Sequence, residues 1–182
     1  CMAVVVKPRK LEAVVEAIVP HGLPLLMEKP PTLTSAGARR LAGRVKAPHV
    51  VAFNRRYFPI VERFKALVEA LDGPYLAGGT FCRSERYDSQ RFAQAPDAHD
   101  FPFMIGTGIH GINLLEYLFG EIVGCDTSPV TVATNLTRAW ALQLRFATGL
   151  AGQMRILPCS GSSTEWIEVH SQRRSLYLHA QD

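Results

Sequence analysis

The sequence predicts an α/β protein in two parts, a parallel sheet wound through helices followed by an α+β part with a mainly antiparallel open sheet. Within residues 2–53, short apolar runs alternate with stretches of helical periodicity, which is typical of parallel strands joined by right-handed crossovers. Across much of residues 129–179, apolar and polar side chains alternate, as they do in strands with one covered face. We therefore divide the chain into 1–53 and 54–182.

The first part contains three predicted strands and two predicted helices. The strands are the apolar runs Met2–Val6, Leu23–Met27 and His49–Phe53. Pro8 suits the first turn of a helix, and the apolar positions that follow it have helical spacing: Leu11, Val14, Val15 and Ile18. Thr34 or Ser35 is expected to cap the second helix, whose apolar face comprises Ala38, Leu41, Ala42 and Val45.

The second part begins with a helix and a strand and ends in a series of strands. The helix carries an apolar stripe made of Ile60, Phe64, Leu67, Val68 and Leu71, and the strand covers Tyr75–Cys82. Residues 83–104 are irregular, and loops of that length in compact domains are often functional. A further helix is expected from about Ile109 to Phe119, followed by strands at Pro129–Thr134, Trp140–Phe146, Leu150–Ile156, Thr164–His170 and Ser175–His179.

Composition and charge argue against several classes of protein. The net charge of +4 is mild, and the basic pairs are scattered, which argues against a nucleic-acid partner. No apolar run approaches the ~20 residues that span a bilayer, so no membrane partner is expected. The four cysteines form no C-x-x-C pair, which favours reduced thiols in a cytoplasmic protein over a metal site or disulfides. Because the chain begins inside an apolar strand without a signal-peptide pattern, we expect upstream residues to be missing.

The stretch from Gly106 to Gly111 is a literal G-x-G-x-x-G, the pattern of a dinucleotide-binding turn. A helix follows it, and Asp126 lies 20 residues after Gly106, where a ribose-binding acid would stand. Against this interpretation, Pro102 interrupts the strand that would have to precede the turn, and the strands that follow are antiparallel. A compact nucleotide binder therefore remains an alternative that rests on one weak motif.

The stretch from Met27 to Pro31 reads Met-Glu-Lys-Pro-Pro and lies where a predicted parallel strand ends. Ligands of α/β proteins bind beyond the carboxyl ends of such strands, so Lys29 is a candidate proton donor in a binding site. The alternative is that Glu28 and Lys29 are an ordinary solvated pair at a strand end.

The order of these segments resembles the glucose–fructose oxidoreductase / inositol dehydrogenase (Gfo/Idh/MocA) family. The family's E-K-P signature is matched by Glu28-Lys29-Pro30, and its G-F-N-R-R-type motif by residues 51–57, Val-Ala-Phe-Asn-Arg-Arg-Tyr. Its I-H-x-I-D-x-L-x-x-L-x-G pattern is similar to residues 109–120, and the hairpin at 140–156 is similar to the central sheet of its second domain. The matches cover nearly the whole chain in a single order.

The resemblance implies an NAD(P)-dependent oxidoreductase that transfers hydride between nicotinamide and a sugar- or polyol-type hydroxyl. It implies that 1–53 is the C-terminal portion of an NAD(P)-binding Rossmann domain and that 54–182 is an incomplete substrate-binding and oligomerisation domain. It further implies a homo-oligomer formed through the open sheet. A non-enzymatic binding or dimerisation module on the same fold is the alternative.

Residue by residue, the resemblance implies a catalytic pair made of Lys29 and His110. Lys29 would position the substrate hydroxyl and exchange its proton, although an ammonium with an ordinary pKa of ~10.4 is a poor base unless a dry, cationic site lowers that value. His110 is the general acid/base candidate, because imidazole titrates closest to neutrality. The implied substrate-binding residues are Arg55, Arg56, Tyr57 and Asn113. The implied cofactor-binding residues are Lys7, Pro8, Glu28, Lys29, Pro30 and Asn54.

The sequence also departs from the family pattern. Many members have an aspartate four residues before the histidine and another acid three residues after it, where this chain has Gly106 and Asn113. Either Asp97 or Asp100 replaces the missing acid, or the site depends on Lys29 and His110 alone. The family's phosphate-binding glycine turn and ribose-binding acid lie upstream of the strand with which this chain begins, so we expect the chain alone to bind dinucleotide poorly.

Overall fold

The chain divides into two compact units, Cys1–Asn54 and Arg55–Asp182. A computed structural model of the chain describes residues 1–84, 108–131 and 138–179. The predicted loop at 83–104 lies almost entirely outside these residues, as do Asp97, Asp100, Pro102 and Gly106.

The first unit is a three-stranded parallel sheet with helices in its crossovers. Its elements are β1 (Met2–Val4), α1 (Pro8–Ile18), β2 (Leu25–Met27), α2 (Ser35–Arg44) and β3 (His49–Val51), with strand order β1-β2-β3. The predicted parallel sheet is thus confirmed, but each strand is shorter than its apolar run. Leu23, for example, precedes Pro24 and falls outside the ladder, whose first bond runs from the Met2 amide to the Pro24 carbonyl.

The helices of the first unit cover one face of this sheet. On that face the sheet contributes Val4, Leu25 and Met27 to the core. The helices contribute Leu11 and Val15 from α1, Leu41 from α2, and Val45, which is the C-cap residue of α2. The predicted face of α2 was wrong at Ala38 and Ala42, which are exposed, because Gly37, Leu41 and Val45 follow one another at four-residue intervals instead. Thr34 rather than Ser35 caps α2, since its Oγ1 accepts from the Gly37 amide at 3.0 Å.

The second unit is built on a six-stranded sheet with two helices. The helices are α3 (Pro59–Glu69) and α4 (Ile109–Phe119). The strands are β4 (Leu76–Ser84), β5 (Ile122–Thr131), β6 (Arg138–Phe146), β7 (Ala151–Ser160), β8 (Thr164–His170) and β9 (Ser175–His179). Their order is β5-β6-β7-β4-β8-β9, and only β4 and β7 run parallel. The mainly antiparallel sheet predicted from the alternating pattern is confirmed.

One face of this sheet carries the larger core. Alternate residues of the strands, among them Leu142, Leu144, Met154 and Ile156, pack with the buried side of α4. The predicted stripe of α3 was partly wrong. Ile60 is 54% and Leu67 40% exposed, because the helix buries Val61, Phe64 and Val68. The first strand after α4 begins at Ile122 rather than at Pro129. Residues 122–128 are extended because they pair with β6, and they show no alternation of buried with exposed side chains from which a strand could be predicted.

Three cysteines lie in the described part of the chain with side chains that form no disulfide: Cys1, Cys82 and Cys125. In the same residues, no group of three or more His, Cys, Asp or Glu side chains is placed to hold a metal ion. None of the helices found there is long and apolar enough to cross a membrane.

Cys125 is exposed on β5, yet its surroundings disfavour the thiolate. Partial burial and the neighbouring Asp126 carboxylate raise the pKa of the thiol, while Arg145 opposes them and also pairs with Asp126 at 2.6 Å. A raised pKa means less thiolate at a given pH, and the thiolate is the reactive form. We expect Asp126→Asn to speed alkylation of Cys125 by iodoacetamide a few-fold near neutral pH and to move the pH–rate curve to lower pH. An unchanged curve, with Cys1 as the internal comparison, would contradict this account.

Candidate functional site

The carboxyl edge of the small parallel sheet gathers all the residues implied to bind cofactor. Lys7 and Pro8 follow β1, Glu28 to Pro30 follow β2, and Asn54 follows β3 after two intervening residues. Backbone bonds hold the three strand ends together: the Glu28 amide donates to Val4 O at 3.1 Å, and the Ala52 amide donates to Met27 O at 2.8 Å. The segments therefore meet at the edge where ligands of parallel sheets bind.

The segment around Lys29 is fixed at both ends. The Lys29 amide donates to the Glu28 carboxylate at 3.2 Å, and Pro30, joined to Lys29 by a cis peptide bond, is buried. Thr32 is only 5% exposed and donates its hydroxyl to the Thr34 carbonyl at 2.8 Å, just before α2. The Lys29 side chain is half-buried, which leaves part of it open to solvent at the strand end.

In the second unit, Arg56 and Asn113 bind each other. The Arg56 Nε donates to Asn113 Oδ1 at 2.6 Å, and the guanidinium carbon lies 5.4 Å from the centroid of the Tyr117 ring. Lys65 from α3 lies 5.5 Å from the same ring. Asn113 and Tyr117 thus share one face of α4, and that face is rich in cations.

Arg55 makes a different contact, with a residue that the sequence analysis did not single out. Its guanidinium forms an ion pair with the Glu165 carboxylate, and the two side chains are 12% and 4% exposed. Glu165 occupies a core-facing position of β8, two residues before buried Ile167. The sequence contained one indication that Glu165 is buried. Side chains alternate between the two faces of the strand Thr164–His170, and this glutamate occupies the first position that faces inward.

His110 lies in the first turn of α4 and is 8% exposed. The next residue, Gly111, packs so closely on the sheet that a Cβ there would lie 2.5 Å from the Phe81 ring and 2.6 Å from the Met154 methyl group. The first turn of α4 is therefore held directly against β4 and β7. Tyr57, by contrast, is 69% exposed and extends into solvent.

Comparison of the whole structure with solved structures gives strong matches. Levoglucosan dehydrogenase in complex with NADH and levoglucosan aligns with a TM-score of 0.82 and 21% identity, over 97% of this chain and 53% of that chain. Myo-inositol 2-dehydrogenase from Lactobacillus plantarum aligns with a TM-score of 0.82 and 15% identity, over 97% and 56%. An oxidoreductase from Agrobacterium radiobacter, in complex with NAD+, L-tartaric acid and magnesium, aligns with a TM-score of 0.81 and 16% identity, over 97% and 54%.

The chain has the Gfo/Idh/MocA fold. It spans about half the length of the solved structures that it matches. No protein-family model and no curated protein sequence matches it, so the likeness rests on structure.

The packing of α4 on the sheet gives Gly111 a role other than phosphate binding. β5, the strand that follows α4, lies at the edge of the sheet and pairs antiparallel with β6. A dinucleotide-binding turn instead opens a parallel winding unit. Gly111 is explained by the close approach of α4 to Phe81, and Asp126 by its exposed pair with Arg145.

Proposed function

We propose that this chain is part of an NAD(P)-dependent oxidoreductase that transfers hydride between nicotinamide and a sugar- or polyol-type hydroxyl. In this proposal, 1–53 is the C-terminal portion of the NAD(P)-binding domain and 54–182 belongs to the substrate domain. The observation that carries the proposal is the position of Glu28-Lys29-Pro30, between Lys7-Pro8 and Asn54 at the carboxyl edge of the parallel sheet, in a chain with the Gfo/Idh/MocA fold.

The neighbouring structures support the class of reactants. Levoglucosan dehydrogenase was solved with NADH and with levoglucosan or L-sorbose, and the Agrobacterium radiobacter oxidoreductase with NAD+, L-tartaric acid and magnesium. The half-buried Lys29 and the hydrogen-bonded strand ends around it support placing the nicotinamide end of a dinucleotide at this edge. When bound, the cofactor supplies the hydride acceptor, and the chain supplies the groups that hold the substrate and move its hydroxyl proton.

We assign those groups as follows. Lys29 donates to the reacting hydroxyl oxygen and orients it, and His110 accepts the hydroxyl proton as the substrate carbon loses hydride. Arg56, Tyr57 and Asn113 bind further substrate oxygens, while Arg55 is committed to Glu165. Asn113 stands where many family members have an acid. We assign the proton transfer to the imidazole of His110, with Asp97 or Asp100 as the alternative source of the missing acid.

The experiment uses the product of the complete reading frame with a panel of polyols, aldoses and hydroxy acids, each with NAD+ and with NADP+. Reduction of the nicotinamide by one substrate class is the expected result. Binding of NADH without turnover of any compound would favour the alternative, a non-enzymatic binding module. NADH binding by residues 54–182 alone would favour the compact nucleotide binder at Gly106–Gly111.

We also propose that the face of the six-stranded sheet opposite α4 contacts a second copy. Trp166 lies on that face beside Arg155, which is 5.9 Å from its ring, and the neighbouring Tyr177 is 56% exposed. Light scattering is expected to give a dimer or larger species that Tyr177→Glu weakens.

A further inference from the structure

Two buried polar side chains of the second unit lie in the first turns of α4, and a third lies on the strand next to the one on which this helix packs. Only five polar side chains of its described residues are buried, namely Thr80, His110, Asn113, Glu165 and Ser171. His110 and Asn113 stand on α4 itself. Glu165 is the cross-strand neighbour of Phe81, on whose ring Gly111 packs. Glu165 therefore borders the part of the sheet that supports His110.

Two consecutive arginines connect this region. Arg55 pairs with Glu165 on β8, and Arg56 donates to Asn113 on α4, one turn beyond His110. Since adjacent residues share a peptide bond, fixing Arg55 restricts where Arg56 can lie. The contacts form one path from the sheet to the helix: Glu165, Arg55, Arg56, Asn113.

We propose that Glu165 is a positioning residue, which holds Arg55 so that Arg56 and Asn113 set the orientation of the turn that carries His110. The consequence for catalysis rests on the function proposed above. The pair itself does not, because it is a contact within the second unit.

The physical reason lies in the burial of the pair. A carboxylate that is 4% exposed is stable as an ion only beside a cation, and Arg55 is that cation. If the carboxylate becomes an amide, the guanidinium loses its charged partner and moves toward water, and Arg56 moves with it. A reacting group displaced by about 1 Å can cost a factor of ~10² in rate, so a small rotation of His110 is sufficient.

The test compares Glu165→Gln with Glu168→Gln in the product of the complete reading frame. The control removes the same charge from the same strand, but Glu168 faces the opposite side of the sheet, beside His170. We expect E165Q to shift the ring resonances of His110, assigned with His110→Gln, and to lower kcat by roughly 10- to 100-fold with little change in KM. E168Q is expected to change neither. His110 resonances that are the same in E165Q and in the unaltered protein would overturn the proposal.

A second variant guards against simple loss of folding. Replacing a buried ion pair by apolar side chains of similar size is often neutral or stabilising, so Arg55→Met with Glu165→Met is expected to fold. If Glu165 positions the helix turn, this double variant keeps the displaced His110 resonances and the low kcat. Recovery of both to the values of the unaltered protein would overturn the proposal. If the unaltered protein turns over no substrate, the proposed function fails, and the resonances still decide the positioning role.

Discussion

Replacing Lys29 by alanine is expected to lower kcat by about 10²-fold in the product of the complete reading frame, the cost associated with loss of a group that orients the reacting hydroxyl. The fold should survive, because Lys29 follows β2 and its side chain is only half-buried, outside the core of Val4, Leu25 and Met27. Steady-state kinetics with the best substrate give the rate, and thermal unfolding gives the stability.

Lys46→Ala is the matched control for this change. Lys46 lies in the same unit, between α2 and the first residue of β3, and its side chain is exposed. Its loss should leave turnover within a factor of about two, as expected for a surface substitution away from special features. Equal turnover in K29A and K46A would remove Lys29 from the mechanism.

Replacing Gly111 by alanine is expected to destabilise the protein by about 1–3 kcal/mol, the usual cost of forcing an extra carbon into a packed core. The new Cβ would lie 2.5 Å from the Phe81 ring and 2.6 Å from the Met154 methyl group. Both side chains are completely buried, so neither moves aside without displacing others. Chemical denaturation of the protein measures the difference in free energy of unfolding.

Gly43→Ala separates this effect from the general preference of helices for alanine. Gly43 lies in α2, and a Cβ there meets nothing within 4 Å. Alanine in an open helical position is expected to stabilise by about 0.5–1 kcal/mol relative to glycine. G111A is expected to lower the free energy of unfolding and Gly43→Ala to raise it, and this difference in sign is the diagnostic result. A stabilising effect of G111A would mean that α4 does not pack on β4 as described.

Secondary structure was predicted best where a strand has one covered face. Thr164–His170 and Ser175–His179 were predicted with the bounds that β8 and β9 have, and in β8 buried residues alternate with partly buried ones. Each parallel strand was predicted two residues too long, since a continuous apolar run contains no signal for where the ladder ends. The buried face of α3 was also predicted incorrectly from apolar side chains alone, because Ile60 and Leu67 are apolar but lie on the exposed side of the helix.

The candidate site shows a similar division. The position of Glu28 and Lys29 followed from a strand end, because ligands bind beyond the carboxyl ends of parallel strands. Lys7 and Asn54 were candidates only through the family resemblance, and the sheet topology places them at the same edge. The pair of Arg55 with Glu165 joins residues 110 positions apart, and no local pattern records that contact. The inward position of Glu165 on an alternating strand indicates a buried carboxylate, but its partner becomes known only once β8 and the segment after β3 are placed.

The most direct measurement is a crystal structure of the product of the complete reading frame with nicotinamide cofactor and the best substrate from the panel. The account predicts that Lys29 Nζ and an imidazole nitrogen of His110 both lie within hydrogen-bond reach, about 3 Å, of the same substrate hydroxyl. A structure in which the two groups face different cavities, or in which either is closed off from solvent and substrate, would contradict it.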